Sequence, residues 1–142
     1  MLVKQIFKQK DDRIVTVQPS DTVATATEVL KRENIGALMV SASDGDLAGI
    51  LSERDIVRRM ADTPGQTLPQ SVSDLMTSDV QTCRPDEALT DILKRMSEGR
   101  FRHLPVIDES GLCGMITIGD VVNFRLNELE YEALKMKQMI VG

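Results

Sequence analysis

One pattern occurs twice in this chain, and a duplicated pattern restricts the fold more than composition does. Gly49-Ile-Leu-Ser52-Glu-Arg-Asp55 is answered by Gly114-Met-Ile-Thr117-Ile-Gly-Asp120. At a shift of 66 residues Pro19 falls on Pro85, Val23 on Leu89, Ala26 on Ile92, Leu30 on Met96, Leu38 on Leu104 and Val40 on Val106. Past Asp46 the shift becomes 65, so the first copy carries one extra residue in a Gly-containing turn. Each copy has roughly 60 residues, near the size at which a lone core is marginal. Two similar units packed on each other are therefore expected, with ligand sites arising in pairs.

Apolar periodicity gives each copy the order strand, helix, strand, strand, helix. In the first copy it predicts strands over 14–17, 37–41 and 47–51, a helix from Val23 to Arg32, and a helix opened by Ser52 and running through Met60. In the second it predicts strands over 80–83, 103–107 and 112–116, a helix over 86–97, and a helix from Thr117. The Pro- and Gly-containing stretch 62–70 reads as a loop between the copies. Val3-Lys-Gln-Ile-Phe7 and Val72-Ser-Asp-Leu-Met76 read as matching one-turn helices, each leading into its copy. This divides the chain into a first repeat at 1–70, a second at 71–125 and a helical extension at 126–142.

In that extension Val122, Leu126, Leu129, Ala133, Met136 and Ile140 are spaced 4, 3, 4, 3 and 4, the seam of a coiled coil. Such a stripe either folds back on its own domain or pairs with another chain, and a homodimer contact is the expectation.

Charge narrows the partners. A net charge of −5 disfavours a nucleic-acid or anionic membrane surface, and three Phe, one Tyr and no Trp leave little for base stacking. No apolar run reaches the length of a membrane span or signal peptide, so a cytoplasmic protein is expected. Cys83 and Cys113 lack the close spacing of a zinc or redox motif, and His103 is the only histidine. Reduced thiols and no metal are expected.

In both copies an apolar strand runs into a helix whose first residue is Ser52 or Thr117, with Asp55 or Asp120 three residues on. Hydroxyl and acid at that spacing make a helix capping box. The same helix start, with unpaired N–H groups, suits a phosphate. A carboxylate beside it can accept both hydroxyls of a ribose. Gly99-Arg100-Phe101-Arg102-His103 adds cations at the mouth of a strand, where the first copy has the uncharged Asn34-Ile35-Gly36-Ala37. With Arg54, these side chains could converge on phosphate or form a solvated patch paired with acids.

The strings Ile50-Leu-Ser-Glu-Arg-Asp55, Phe101-Arg-His-Leu-Pro-Val106 and Thr117-Ile-Gly-Asp120 resemble those of tandem CBS domains, over residues 1 to about 125. The resemblance implies a mixed α/β (α+β) fold, two β-α-β-β-α repeats packed as a pseudo-two-fold disc, followed here by the C-terminal helix. It implies clefts between the repeats that bind AMP, ADP, ATP, NAD(H) or S-adenosylmethionine. By that resemblance Asp55 and Asp120 hold ribose, and Ser52 and Thr117 meet ribose or phosphate. Arg54, Arg100, Arg102 and His103 would serve phosphate. One cleft would combine Asp120 with Val15, Ile35, Gly36 and Ala37 along adenine; the other would combine Asp55 with Val80, Gln81 and Phe101 to His103. Only one copy has the Arg-rich approach, so unequal binding is expected.

There is no Gly-x-x-x-x-Gly-Lys-Ser/Thr loop, no Gly-x-Gly-x-x-Gly, and no second His from which to build a nucleophile and base. The chain reads as non-enzymatic, a homodimeric sensor of adenosine nucleotides, AMP or NAD(H) first, that reports to a protein partner the sequence does not name. The competing reading is an interaction module with vestigial clefts that acts through its C-terminal helix.

Overall fold

The structure, a computed structural model, describes residues 1–9 and 14–141; Gly142, the end of the expected extension, lies outside them. The first half contains α1 (Lys4–Gln9), β1 (Thr16–Val17), α2 (Val23–Glu33), β2 (Ala37–Ser41), β3 (Leu47–Ser52) and α3 (Glu53–Asp62). The second contains α4 (Val72–Leu75), α5 (Leu89–Gly99), β4 (His103–Asp108), β5 (Gly111–Thr117) and α6 (Ile118–Val141). β1 pairs parallel to β2, and β2 antiparallel to β3; β4 and β5 form a separate antiparallel pair. The fold is mixed α/β, as the repeats require, and no helix among the described residues is long and apolar enough to cross a membrane.

The duplication reaches the backbone. Asn34 and Arg100, equivalent at the 66-residue shift, both end a helix in the left-handed region, at φ 54° and 56°. The β2–β3 ladder slips register between Val40 and Ser41, and the β4–β5 ladder slips between Val106 and Ile107. The Glu53 N–H donates to the Gly36 carbonyl at 2.9 Å, and the Ile118 N–H donates to the Arg102 carbonyl at the same distance.

Burial follows the apolar spacing. α2 is capped by Thr22, whose hydroxyl accepts from the Thr25 N–H at 3.1 Å, and it turns Val23, Ala26, Val29 and Leu30 inward. α5 does the same with Leu89, Ile92 and Met96. The cores, however, are not contiguous in sequence. Val3 and Ile6 of α1 are buried with Leu89, Ile92, Leu104 and Phe124, in the core of the second repeat. Val72 and Leu75 of α4 are buried with Val23, Leu38 and Leu51, in the core of the first. Backbone bonds fix both crossings: Val3 N–H to the Glu87 carbonyl and Leu89 N–H to the Met1 carbonyl, each 2.9 Å, and Val72 N–H to the Asp21 carbonyl at 2.8 Å. Each short lead-in helix thus completes the other repeat, where chain order suggested it would serve its own.

Three expected elements are shortened at their starts. The strand over 80–83 contracts to a single parallel bridge between Cys83 and Val106. The Cys83 N–H donates to the Pro105 carbonyl at 3.0 Å and its carbonyl accepts from Ile107 at 2.9 Å. The next ladder bond would need an N–H from residue 105, and proline has none. The second-repeat helix starts at Leu89 instead of Asp86, because Ala88 bridges to Leu2 and the Glu87 carboxylate accepts from the Arg84 N–H at 2.6 Å. β1 likewise begins at Thr16.

Burial, with Glu87 nearby, pushes the Cys83 thiol up to about 12, and burial also raises Cys113. The thiolate is the nucleophile, so Cys83 should resist iodoacetamide at mildly alkaline pH in the folded protein and react readily once unfolded. Labelling of native Cys83 at the rate of a peptide thiol would contradict this burial.

Candidate functional site

The repeated hydroxyl-acid turn is built as a reciprocal cap in both copies. The Ser52 hydroxyl accepts from the Asp55 N–H at 3.2 Å, while the Ser52 N–H donates to Asp55 Oδ2 at 2.9 Å. The Thr117 hydroxyl accepts from the Asp120 N–H at 3.1 Å, and the Thr117 N–H donates to Asp120 Oδ2 at 2.9 Å. Each cap does structural work and, by doing so, fixes the carboxylate at the start of its helix.

Beside Asp55 lies a cavity of about 610 Å³ lined by both repeats. Ser52, Arg54 and Asp55 come from the first β3–α3 junction; Arg100, Phe101, Arg102 and His103 come from the α5–β4 junction; Val80 and Gln81 come from the segment before Cys83. These nine sequence-derived candidates are joined by Gly36. A β-carbon at Gly36 would sit 3.8 Å from both His103 Nε2 and Glu53 Oε2, so the bare backbone brings those side chains close. Gly36 was expected beside Asp120 and instead faces this cavity. Val15, Ile35, Ala37, Thr117 and Asp120 stand outside it. Val15 and Ile35 pack against the first core, and Ala37 is buried.

The cavity carries mixed charge. Arg54, Arg100 and Arg102 share it with Glu53, Asp55 and Asp79, and Ile50, Val80 and Phe101 supply apolar wall. Arg100 enters the lining from the left-handed backbone position, where a side chain is uncommon and costly.

Ile50, Glu53, Thr77, Asp79 and Gly99 also line the cavity and escaped sequence reasoning. For Thr77 a signal existed in Gly49, since glycine inside a strand marks close backbone approach. A β-carbon at Gly49 would meet the Thr77 carbonyl oxygen at 2.5 Å. There Ile50 and Thr77 exchange two backbone bonds of 2.9 Å, which carries the chain past the mouth of the cavity toward Asp79 and Val80. Gly114, the equivalent glycine, makes room for the Phe7 ring of the other crossing segment, 3.1 Å from where its β-carbon would be.

The CBS domain family model matches residues 3–62 and 72–127. A CBS-domain containing protein of Agrobacterium tumefaciens has a crystal structure that superposes with a TM-score of 0.84 at 38% identity, covering 88% of this chain and 99% of that one. The CBS domain-containing protein YhcV of Bacillus subtilis is 32% identical over 123 residues, 86% of each chain. The CBS domain pair of protein MJ0100, crystallised in complex with 5-methylthioadenosine and S-adenosyl-L-methionine, is 25% identical with a TM-score of 0.77, covering 87% of this chain and 98% of that one.

Proposed function

The chain belongs to the CBS-domain family, and we propose on that premise that it is a non-catalytic regulatory module that takes an adenosine-containing ligand into the cavity around Asp55. The observation that carries the reading is the cavity itself, drawn from both repeats and lined by a carboxylate held in its own helix cap. Its volume of about 610 Å³ suits a nucleotide-sized ligand. In this reading the ribose hydroxyls donate to Asp55, whose Oδ2 is already oriented by Ser52. Ile50, Val80 and Phe101 give adenine an apolar slot, and Arg54, Arg100, Arg102 and His103 answer phosphate. AMP and NAD(H) are the first candidates.

Glu53 and Asp79 favour a second ligand class in the same cavity, an adenosine carrying a positive group, as S-adenosylmethionine does. The MJ0100 pair in complex with that compound supports including it. The Thr117–Asp120 turn, with Val15, Ile35 and Ala37, is proposed as a second and weaker site because its copy of the strand mouth lacks the arginines. A ligand spanning both repeats would favour one relative orientation of them, and α6, which starts at the Thr117 cap, would carry that change to a partner.

Thermal melting with AMP, ADP, ATP, NADH and S-adenosylmethionine tests the reading. Ligand at about 100 times its Kd should add roughly 2.7 kcal/mol. For a domain of this size that is a rise of roughly 5–11 °C. A flat response to the whole panel at millimolar concentration would retract the ligand site and leave the interaction module with vestigial clefts.

A further inference from the structure

We propose that α6 binds α6 of a second copy of this chain in a parallel, in-register coiled coil. The helix runs 24 residues, yet only Val121 and Phe124 of it are buried. The seam Val122, Leu126, Leu129, Ala133, Met136 and Ile140 is exposed throughout, with Leu126 at 51%, Met136 at 64% and Ile140 at 82%. It therefore does not fold back on its own domain. About two and a half heptads would be marginal for an isolated helix. Here the first turn is anchored in the core of the second repeat, so the helix is nucleated before it pairs.

Charge selects both the occupant and its direction. The 4-3 spacing puts Leu126, Ala133 and Ile140 at the a positions of the heptad and Val122, Leu129 and Met136 at the d positions. Arg125 and Glu132 then flank the seam at g, and Glu130 and Lys137 at e. In a parallel pair each g residue faces the e residue five positions on in the other helix. Arg125 of one copy meets Glu130 of the other, and Glu132 meets Lys137. Both are attractive, and two-fold symmetry repeats both. An antiparallel pair with the same apolar layers would centre on Tyr131, bringing Glu130 against Glu130 and Glu132 against Glu132, which is repulsive. Ala133, small and central, lets the two backbones approach. The argument is independent of what occupies the Asp55 cavity.

Sedimentation equilibrium of the full chain at micromolar concentration should give twice 15.7 kDa. The double variant Leu126→Lys/Leu129→Lys should give the single mass while keeping a cooperative melt. Glu132→Lys should weaken the dimer at low salt, and adding Lys137→Glu should restore it. Met136→Cys should cross-link under mild oxidation where the parent chain, with Cys83 and Cys113, does not. In the antiparallel arrangement those two sulfurs would be about 15 Å apart along the axis, too far for a disulfide. A monomeric parent chain, a dimer that survives the double lysine variant, a charge swap without rescue, or a dimer without the Met136→Cys cross-link would each overturn the proposal.

Discussion

Replacing Ile6 with alanine will cost about 2–5 kcal/mol and will loosen the second repeat, not the first, which it precedes in sequence. Ile6 is only 2% exposed and shares its core with Leu89, Ile92, Leu104 and Phe124. Truncating it leaves a cavity that those neighbours, held on α5, β4 and α6, fill only in part. The loss is large against the roughly 5–15 kcal/mol that usually separates folded from unfolded chains. Native-state hydrogen exchange distinguishes this account from general weakening. Amides of α5, β4 and β5 should exchange faster, while those of α2 and β2 keep their protection. Equal acceleration in both repeats, or an unchanged melting temperature, would show that α1 does not complete the second core.

The proposed ligand site makes the second demand. Asp55→Asn should lower affinity for the bound adenosine compound roughly ten- to a hundredfold, corresponding to about 1.5–3 kcal/mol for a charge-assisted hydrogen bond. Asparagine keeps an oxygen that can accept from the Ser52 N–H, so the cap of α3 survives and stability should change by no more than about 0.5 kcal/mol. Removing the charge while keeping the cap separates the capping role of this carboxylate from its proposed contact with ribose. Isothermal titration of both variants decides the site. Unchanged affinity in Asp55→Asn with loss in Asp120→Asn would move the ribose to the other turn; unchanged affinity in both would retract the ribose assignment.

Much of this was legible in the letters because the repeat supplied its own check. β2 over Ala37–Ser41 and the capping serine and threonine emerge from apolar runs and hydroxyls that are local signals. The strand over 80–83 misleads because its limit lies elsewhere, in the missing N–H of Pro105, a property of its pairing partner and not of its own residues. The crossing of α1 and α4 was hidden for a related reason. Short amphipathic helices state that they need an apolar partner, and nothing in Val3 or Ile6 names which of two look-alike cores provides it. The cavity was legible at its motif residues and not at Thr77 or Asp79, which reach it through one pair of backbone bonds at Ile50.

The crossed lead-in segments also set an order for biosynthesis. Val3 and Ile6 are synthesised about 100 residues ahead of the side chains that cover them, Leu104 and Ile116 among them. At about 5–20 residues per second the nascent chain carries those two apolar groups uncovered for on the order of ten seconds. Until the second repeat has been synthesised, the segment carrying Val3 and Ile6 therefore has no core of its own to enter, whereas the first core closes as soon as Val72 and Leu75 arrive.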